Sequence, residues 1–147
     1  MGTNLIDCDA NPSEACLLHV IKHQKEGRWN WDHSEVQLYQ DEVQIHGLGQ
    51  LPGNELRCKL PKEVLNANVL DYLLVHPELI PEEWKDKCVF FWGTIYESGT
   101  GRLFVRFLHW YVSPYYWEDQ KGKWLSNDHW LYNAIGSNDF AAVLHAA

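Results

Sequence analysis

Two neighbouring apolar segments, residues 88–97 and 102–112, constrain the fold of this 147-residue chain more than any other feature. Both are rich in β-branched and aromatic residues, and the glycine-containing turn 98–101 separates them, so the pattern predicts a β-hairpin. Pairing the strands about that turn places Glu97 opposite Arg102 and Gly93 opposite Arg106. Apolar side chains alternate onto both faces of this hairpin, whereas a half-exposed strand has one polar face. We therefore expect a helix, a second sheet or another protein to cover each face.

Helices are predicted near the N-terminus and in the middle of the chain. The better defined helix spans residues 61–75, because Pro61 suits a first turn, apolar residues recur with a period of 3.6, and Pro77 follows. A short helical turn at 81–85 leads into Cys88. An N-terminal helix is predicted after Ser13, which would cap it, and it would end at Gly27.

The remaining patterns are those of short strands. Alternation predicts strands at Val36/Leu38, at Val43/Ile45 and over 55–60. The segments 115–117 and 124–125 would form a second hairpin about the turn 119–122, and residues 140–144 a final helical turn.

The fold class is therefore α+β: one twisted antiparallel sheet, arranged as a meander, with the 61–75 helix packed on one face. The N-terminal helix and the short strands would cover the other face. A chain of this length suits one domain spanning residues 1–147. The only candidate seam, at residues 50–54, would separate an N-terminal part from a C-terminal part.

Charge and cysteine content restrict the partners and the compartment. The net charge is −8, from 20 acidic and 12 basic residues, and the acidic residues are scattered. Direct nucleic-acid binding is disfavoured, because it needs a basic surface, whereas a basic protein partner fits. The four cysteines come without a signal-peptide pattern and no apolar run is long enough to span a membrane, so we expect reduced thiols in a cytoplasmic protein.

Known catalytic motifs are not found in the sequence. It has no nucleophile elbow, phosphate-binding loop, HExxH motif or dinucleotide fingerprint. A pair of carboxylates brought together only by the fold would escape such a search. The sequence therefore favours a non-catalytic protein and names no catalytic residue.

A zinc site is one interpretation of three residues near the N-terminus. Cys16, His19 and His23 would lie along one side of the predicted N-terminal helix, and thiolate and imidazole groups bind zinc tetrahedrally. The paired cysteines of common structural zinc motifs are missing, so two solvated histidines are the alternative. No other cofactor is predicted.

Aromatic and acidic residues concentrate between positions 106 and 130. Flat rings beside hydrogen-bonding groups suit sugar rings, unstacked bases or a protein hot spot, and the alternative is the inward half of a small core. Arg106, on a strand that is apolar on both faces, should be paired with an acidic side chain or lie at a groove. The candidate binding residues are Arg106, Trp110, Tyr115, Tyr116, Trp117, Glu118, Asp119, Trp124, Asp128 and Trp130.

Three sequence blocks carry a resemblance. They are LDYLL at residues 70–74, HPELIPEEW at 76–84 and FFWGTIY at 90–96. Together with the Trp-rich meander and the AAVL ending, they resemble a group of short uncharacterised bacterial proteins over residues 65–144. The resemblance implies a small intracellular bacterial domain and carries over no activity and no catalytic residue.

The leading functional hypothesis is an acidic cytoplasmic interaction domain, such as an inhibitor or immunity-like protein, whose aromatic and acidic surface binds a basic protein. The alternative is a small-ligand or carbohydrate-binding domain, or a minor hydrolase, with a pocket between helix and sheet that contains Arg106 or His109. A homodimer that covers the second apolar face with its own copy is a third arrangement.

Overall fold

A computed structural model describes residues 3–14, 17–47 and 49–144. The strands in these ranges are β1 (Leu5–Asp7), β2 (Leu18–His23), β3 (Arg28–Asn30), β4 (Val36–Tyr39), β5 (Leu51–Pro52), β6 (Cys88–Phe90), β7 (Thr94–Ser98), β8 (Leu103–Tyr111), β9 (Lys123–Trp130), β10 (Ala134–Ile135) and β11 (Asp139–Leu144). The α-helices are α1 (Glu42–His46), α2 (Gly53–Arg57) and α3 (Ala67–Val75). Short 3-10 turns lie at His33–Glu35, Pro77–Leu79 and Glu82–Trp84.

The main sheet is built around β8. One edge of β8 pairs with β9 along almost its whole length, and the other edge pairs first with β7 and then with β6. From there β2 extends the sheet beyond β7, while β11 and β4 extend it beyond β6. The pairs are antiparallel except that β11 runs parallel to β6. The fold thus joins a curled, mostly antiparallel sheet to a few short helices, in agreement with the α+β class.

The predicted hairpin exists, but its first strand is interrupted at residues 91–93. The turn pairs Glu97 with Leu103 rather than with Arg102. The interruption also shifts the side-chain alternation by one residue, so Ile95 lies in the cluster of Phe90 and Tyr96 lies on the face of α3. The predicted register was therefore wrong by one position. Strict alternation along residues 88–97 describes the side chains before the break correctly, but places Ile95 and Tyr96 on the wrong faces.

Elements of this chain cover both faces of the sheet. The face that carries Val89 and Leu108 packs on α3 and on Trp31 and Trp84. The opposite face packs on α2 and on the small β5–β10 sheet, through Leu51, Leu56, Leu131 and Ile135. The second apolar face, which suggested a homodimer, is thus buried within the chain. The candidate seam at residues 50–54 belongs to this packed layer.

Three predictions for the N-terminal half were wrong. The predicted N-terminal helix is the strand β2, which pairs with β7. The predicted strand at Val43/Ile45 is the helix α1, because Asp41 and Gln44 form a complete capping box around its first turn. The predicted strand over 55–60 is largely the helix α2, whereas the strand at Val36/Leu38 is confirmed as β4.

The main helix is shorter than predicted. It begins at Ala67, where the side chain of Asn66 accepts a hydrogen bond from the backbone N–H of Asn68 at 3.0 Å. The residues before it are extended and pair with β11, since the N–H of Leu65 donates to Ala142 at 2.9 Å. The helix ends before Pro77 and the short turn at Glu82–Trp84 forms, both as predicted.

The C-terminal predictions were only partly correct. A strand forms around Trp124, as β9, but residues 115–117 lie in the loop before it rather than in a partner strand. Residues 140–144 form most of the strand β11, not a helical turn, because they fill the gap between β6 and β4. In the described part of the chain, no helix combines the length and the apolarity that are needed to cross a bilayer.

Candidate functional site

The aromatic loop, residues 111–118, leads from the end of β8 towards β9. Trp117 stacks on Tyr115 with ring centroids 4.9 Å apart and meets Tyr116 edge-on at 5.2 Å. Even so, Tyr116 is 87% exposed and Trp117 is 68% exposed. Tyr111 and Val112 are exposed beside them. An exposed apolar patch of this kind is typical of an interaction site.

Hydrogen bonds within the loop fix the position of these rings. The buried Ser113 hydroxyl donates to the Glu118 carboxylate at 2.5 Å and accepts from the N–H of Tyr115 at 3.2 Å. The side-chain amide of Gln120 donates to the carbonyl of Tyr115 at 2.7 Å. The aromatic loop is therefore ordered before any partner arrives, which lowers the entropy lost on binding.

The charges around the aromatic loop are mixed. Glu118 is engaged within the loop, and the Asp119 carboxylate accepts from the N–H of Lys121 at 2.9 Å. Lys121 and Lys123 line a small depression beside Glu118 and Asp119. The predicted acidic rim is thus interrupted by two lysines, and any preference for a basic partner depends on the charge of the whole protein.

The tryptophan cleft, lined by Trp110, Trp124, Lys85, Glu82 and Gly122 among others, lies near the aromatic loop and has a volume of about 430 Å³. The two indole rings meet edge-on at 5.2 Å. The Lys85 ammonium lies 4.1 Å from the centre of the Trp110 ring and 2.7 Å from the Glu82 carboxylate. The cleft therefore offers aromatic surface together with both signs of charge.

Sequence reasoning missed the polar residues of this cleft. Lys85 and Glu82 come from the 3-10 turn that precedes β6, and no local pattern indicates that this turn meets the far end of β8. Gly122 lies directly on the Trp110 ring, since a Cβ atom built on it would overlap the ring. That close approach explains why a glycine directly precedes β9.

Arg106 lies between the sheet and α3 rather than at the surface. Its guanidinium pairs with the Asp71 carboxylate at 2.9 Å and donates to the Ser126 hydroxyl at 3.1 Å. Burial opposes the charged form of Arg106, but the Asp71 carboxylate and the Tyr96 side chain together outweigh it, so the pKa is raised above its ordinary value. The prediction that Arg106 is paired with an acidic side chain is confirmed, and Asp71 comes from α3 at the centre of the chain.

The last two predicted binding residues lie away from the cleft. Asp128 is directly opposite Arg106 in the β8–β9 ladder, and burial raises the pKa of its carboxyl although Arg106 partly opposes the rise. Trp130 is near the other end of β9, where the Arg102 guanidinium lies 4.6 Å from its ring centre and Tyr132 stacks on it at 5.2 Å. The ten predicted residues thus occupy three places: the aromatic loop with its flank, the tryptophan cleft, and the α3 side of the β8–β9 hairpin.

Two residues of the zinc hypothesis, His19 and His23, lie on the strand β2 and not on a helix. Cys16 lies outside the described residues, and His19 is on β2 with its ring 3.6 Å from the exposed Glu14 carboxylate. His23 lies 2.8 Å from the Thr94 hydroxyl through Nδ1, and Nε2 donates to the carbonyl of Cys8 at 3.0 Å. Both of its ring nitrogens are therefore engaged in structural hydrogen bonds. Within the described ranges, no three His, Cys, Asp or Glu side chains are grouped as metal ligands.

Comparisons with protein-family models, with curated proteins and with solved structures each find no match to this chain. The resemblance based on residues 65–144 accordingly stays a prediction.

Proposed function

We propose that this protein is a non-catalytic interaction domain that binds a basic protein partner through the aromatic loop. The observation that carries the proposal is the exposure of Tyr116 and Trp117, 87% and 68%, in a loop that is held by its own hydrogen bonds. Exposed tyrosine and tryptophan rings with few rotatable bonds are the usual centres of binding energy in protein interfaces.

Charge complementarity indicates the chemistry of the partner. The protein carries a net charge of −8, which attracts a basic protein during diffusion and repels acidic ones and nucleic acids. The lysines beside Asp119 make the loop itself close to neutral, so the aromatic rings would supply affinity and the overall field would supply the association rate. A cytoplasmic inhibitor or immunity-like protein, which masks a basic partner, has this combination of properties.

The double variant Tyr116→Ala/Trp117→Ala tests this proposal. We expect a basic protein to be captured from a lysate of the source cells, and its affinity for the double variant to fall by about 30-fold or more. The measurement is identification of the captured protein by mass spectrometry, followed by titration calorimetry with that purified protein at low and high salt. Binding to the unchanged protein should weaken as salt increases.

Tyr132→Ala is the matched control, because Tyr132 is also a largely exposed aromatic residue, at 71%, but follows the far end of β9. Its variant should bind like the unchanged protein. Capture of an acidic partner, or equal loss of affinity in both variants, would contradict the proposal. Melting curves of all three proteins should coincide, since neither set of rings is buried.

The tryptophan cleft favours a second candidate function, the binding of a carbohydrate. Indole rings pack against the apolar faces of sugar rings, and the polar groups of Glu82, Lys85 and Lys123 supply donors and acceptors at the edge of the cleft. A volume of about 430 Å³ is in the range of small-molecule pockets. This candidate uses a site adjacent to the aromatic loop and needs no basic partner.

Tryptophan emission, titrated with a panel of mono- and oligosaccharides, tests the second candidate. A binding sugar should shift the emission of Trp110 and Trp124, and Glu82→Gln should weaken that binding about fivefold through loss of a charge-assisted hydrogen bond. Glu83→Gln is the control, because Glu83 is next to Glu82 in the sequence but does not line the cleft. An unchanged emission spectrum across the whole panel would refute carbohydrate binding.

A further inference from the structure

A small pocket of about 170 Å³, here called the basic pocket, gathers three cationic side chains from separate parts of the chain. Lys22 comes from β2, Arg57 is the last residue of α2, and Lys62 comes from a turn before α3. Gln24 and Trp92 also line the pocket, and the apolar residues Leu60, Pro61 and Val64 complete the lining. The fold therefore brings together charges that are up to 40 positions apart in the sequence.

The three cations of the basic pocket lack acidic partners. Among the described residues, five basic side chains form an ion pair with a carboxylate, those of Arg28, Lys59, Lys85, Lys87 and Arg106, and Lys22, Arg57 and Lys62 are not among them. The protein has 20 acidic residues and only 12 basic ones, so carboxylates are abundant. The lining of this depression holds three cations and no carboxylate, and this combination favours the binding of an anion.

The acidic residues near this site, Glu26 and Glu63, do not line the basic pocket. The carboxyl of Glu26 accepts a hydrogen bond from the Gln24 amide at 3.3 Å but does not line the basic pocket. Burial, and then repulsion from Glu63, raises the pKa of Glu26 to about 8. Glu26 is therefore mostly uncharged at pH 7, so the three cations of the lining outnumber the neighbouring carboxylates.

We propose that the basic pocket binds a phosphate dianion, either the free ion or the phosphate group of a small monoester. A guanidinium group matches two phosphate oxygens at once, and ammonium groups on flexible stems approach the others. A volume of about 170 Å³ is below that of pockets for drug-sized ligands, so it suits a single ionic group. This site is distinct from the aromatic loop and does not depend on the proposed protein partner.

Titration calorimetry with inorganic phosphate, at constant ionic strength set by sodium chloride, tests this inference. We expect saturable binding to the full-length protein, and Arg57→Gln and Lys62→Gln should each weaken it about tenfold, because each removes a charged hydrogen bond. Methyl phosphate, titrated in parallel, distinguishes the sources: tighter binding of the monoester assigns the site to phosphorylated small molecules, and tighter binding of phosphate assigns it to the free ion.

Lys25→Gln is the matched control, since Lys25 is an exposed lysine next to Gln24 that does not line the basic pocket. It should bind phosphate as the unchanged protein does, and so should Tyr116→Ala/Trp117→Ala, which separates this inference from the proposed function. Absence of saturable phosphate binding, or an equal loss in Lys25→Gln and Arg57→Gln, would overturn it. Circular dichroism and melting curves establish that each glutamine variant is folded.

Discussion

Replacing Asp71 with asparagine is expected to lower the free energy of unfolding by about 3 kcal/mol, because it leaves a buried guanidinium without its countercharge. The side chain of Arg106 is 12% exposed, and its pair with Asp71 at 2.9 Å joins α3 to β8. Asp71 also accepts a hydrogen bond from the Ser13 hydroxyl at 2.8 Å, so its loss affects the N-terminal segment as well. Urea unfolding at pH 7 measures the change as a lower midpoint with an unaltered slope.

Two further variants isolate the cause. Glu78→Gln removes a carboxylate that is 69% exposed and 3.7 Å from His76, so it should change stability by less than about 0.5 kcal/mol. The double variant Asp71→Leu/Arg106→Met should be more stable than Asp71→Leu alone, because it also removes the buried guanidinium that Asp71→Leu leaves without Asp71. A midpoint for Asp71→Asn equal to that of Glu78→Gln would show that the fold does not depend on the charge of Asp71 beside Arg106.

The elements that the sequence predicted correctly are those in which a strong local pattern agrees with the tertiary contacts. The 102–112 strand and the end of α3 before Pro77 are examples. In the N-terminal half, by contrast, apolar residues at 17, 20 and 21 fit a helical period, but pairing with β7 and a bulge after Val20 impose a strand. For α1 the decisive feature is the pair Asp41 and Gln44, a capping signal that the alternation of Val43 and Ile45 obscured.

The candidate site could be predicted in composition but not in arrangement. The sequence identifies the aromatic residues of the segment 110–130, and most of Tyr115, Tyr116 and Trp117 is indeed exposed. No local sequence pattern distinguishes Trp130 from Trp124, although the two lie near opposite ends of β9 and contact different groups. The basic pocket is beyond sequence reasoning altogether, because Lys22 and Arg57 meet only after β2 and α2 have packed.

Gly93→Ala is expected to be among the most destabilising single substitutions in this protein, at about 3 kcal/mol. A Cβ atom at this position would lie 2.8 Å from the Cα and Cβ atoms of Asn66 and 2.9 Å from its nitrogen. Asn66 cannot move away easily, because it is fully buried, caps α3 and donates to the carbonyls of Cys8 and Gln24 at 2.9 Å. The backbone of Gly93 cannot move away easily either, since its N–H donates to the carbonyl of Leu65 at 2.9 Å.

Gly99→Ala is the matched control for this substitution, because Gly99 is in the β7–β8 turn and a Cβ atom there meets no atom within 4 Å. The control should lie within about 0.5 kcal/mol of the unchanged protein, which separates the effect of contact with Asn66 from the general cost of replacing a glycine. Urea midpoints of the two variants, compared with that of the unchanged protein, give both values. If Gly93→Ala and Gly99→Ala unfold at the same urea concentration, the close approach of Gly93 to Asn66 does not govern the interruption between β6 and β7. If they differ as expected, the close approach to Asn66 holds the backbone at Gly93 in place. This fixed break interrupts the alternation of side chains, so Ile95 and Tyr96 face the sides opposite to those that simple alternation predicts.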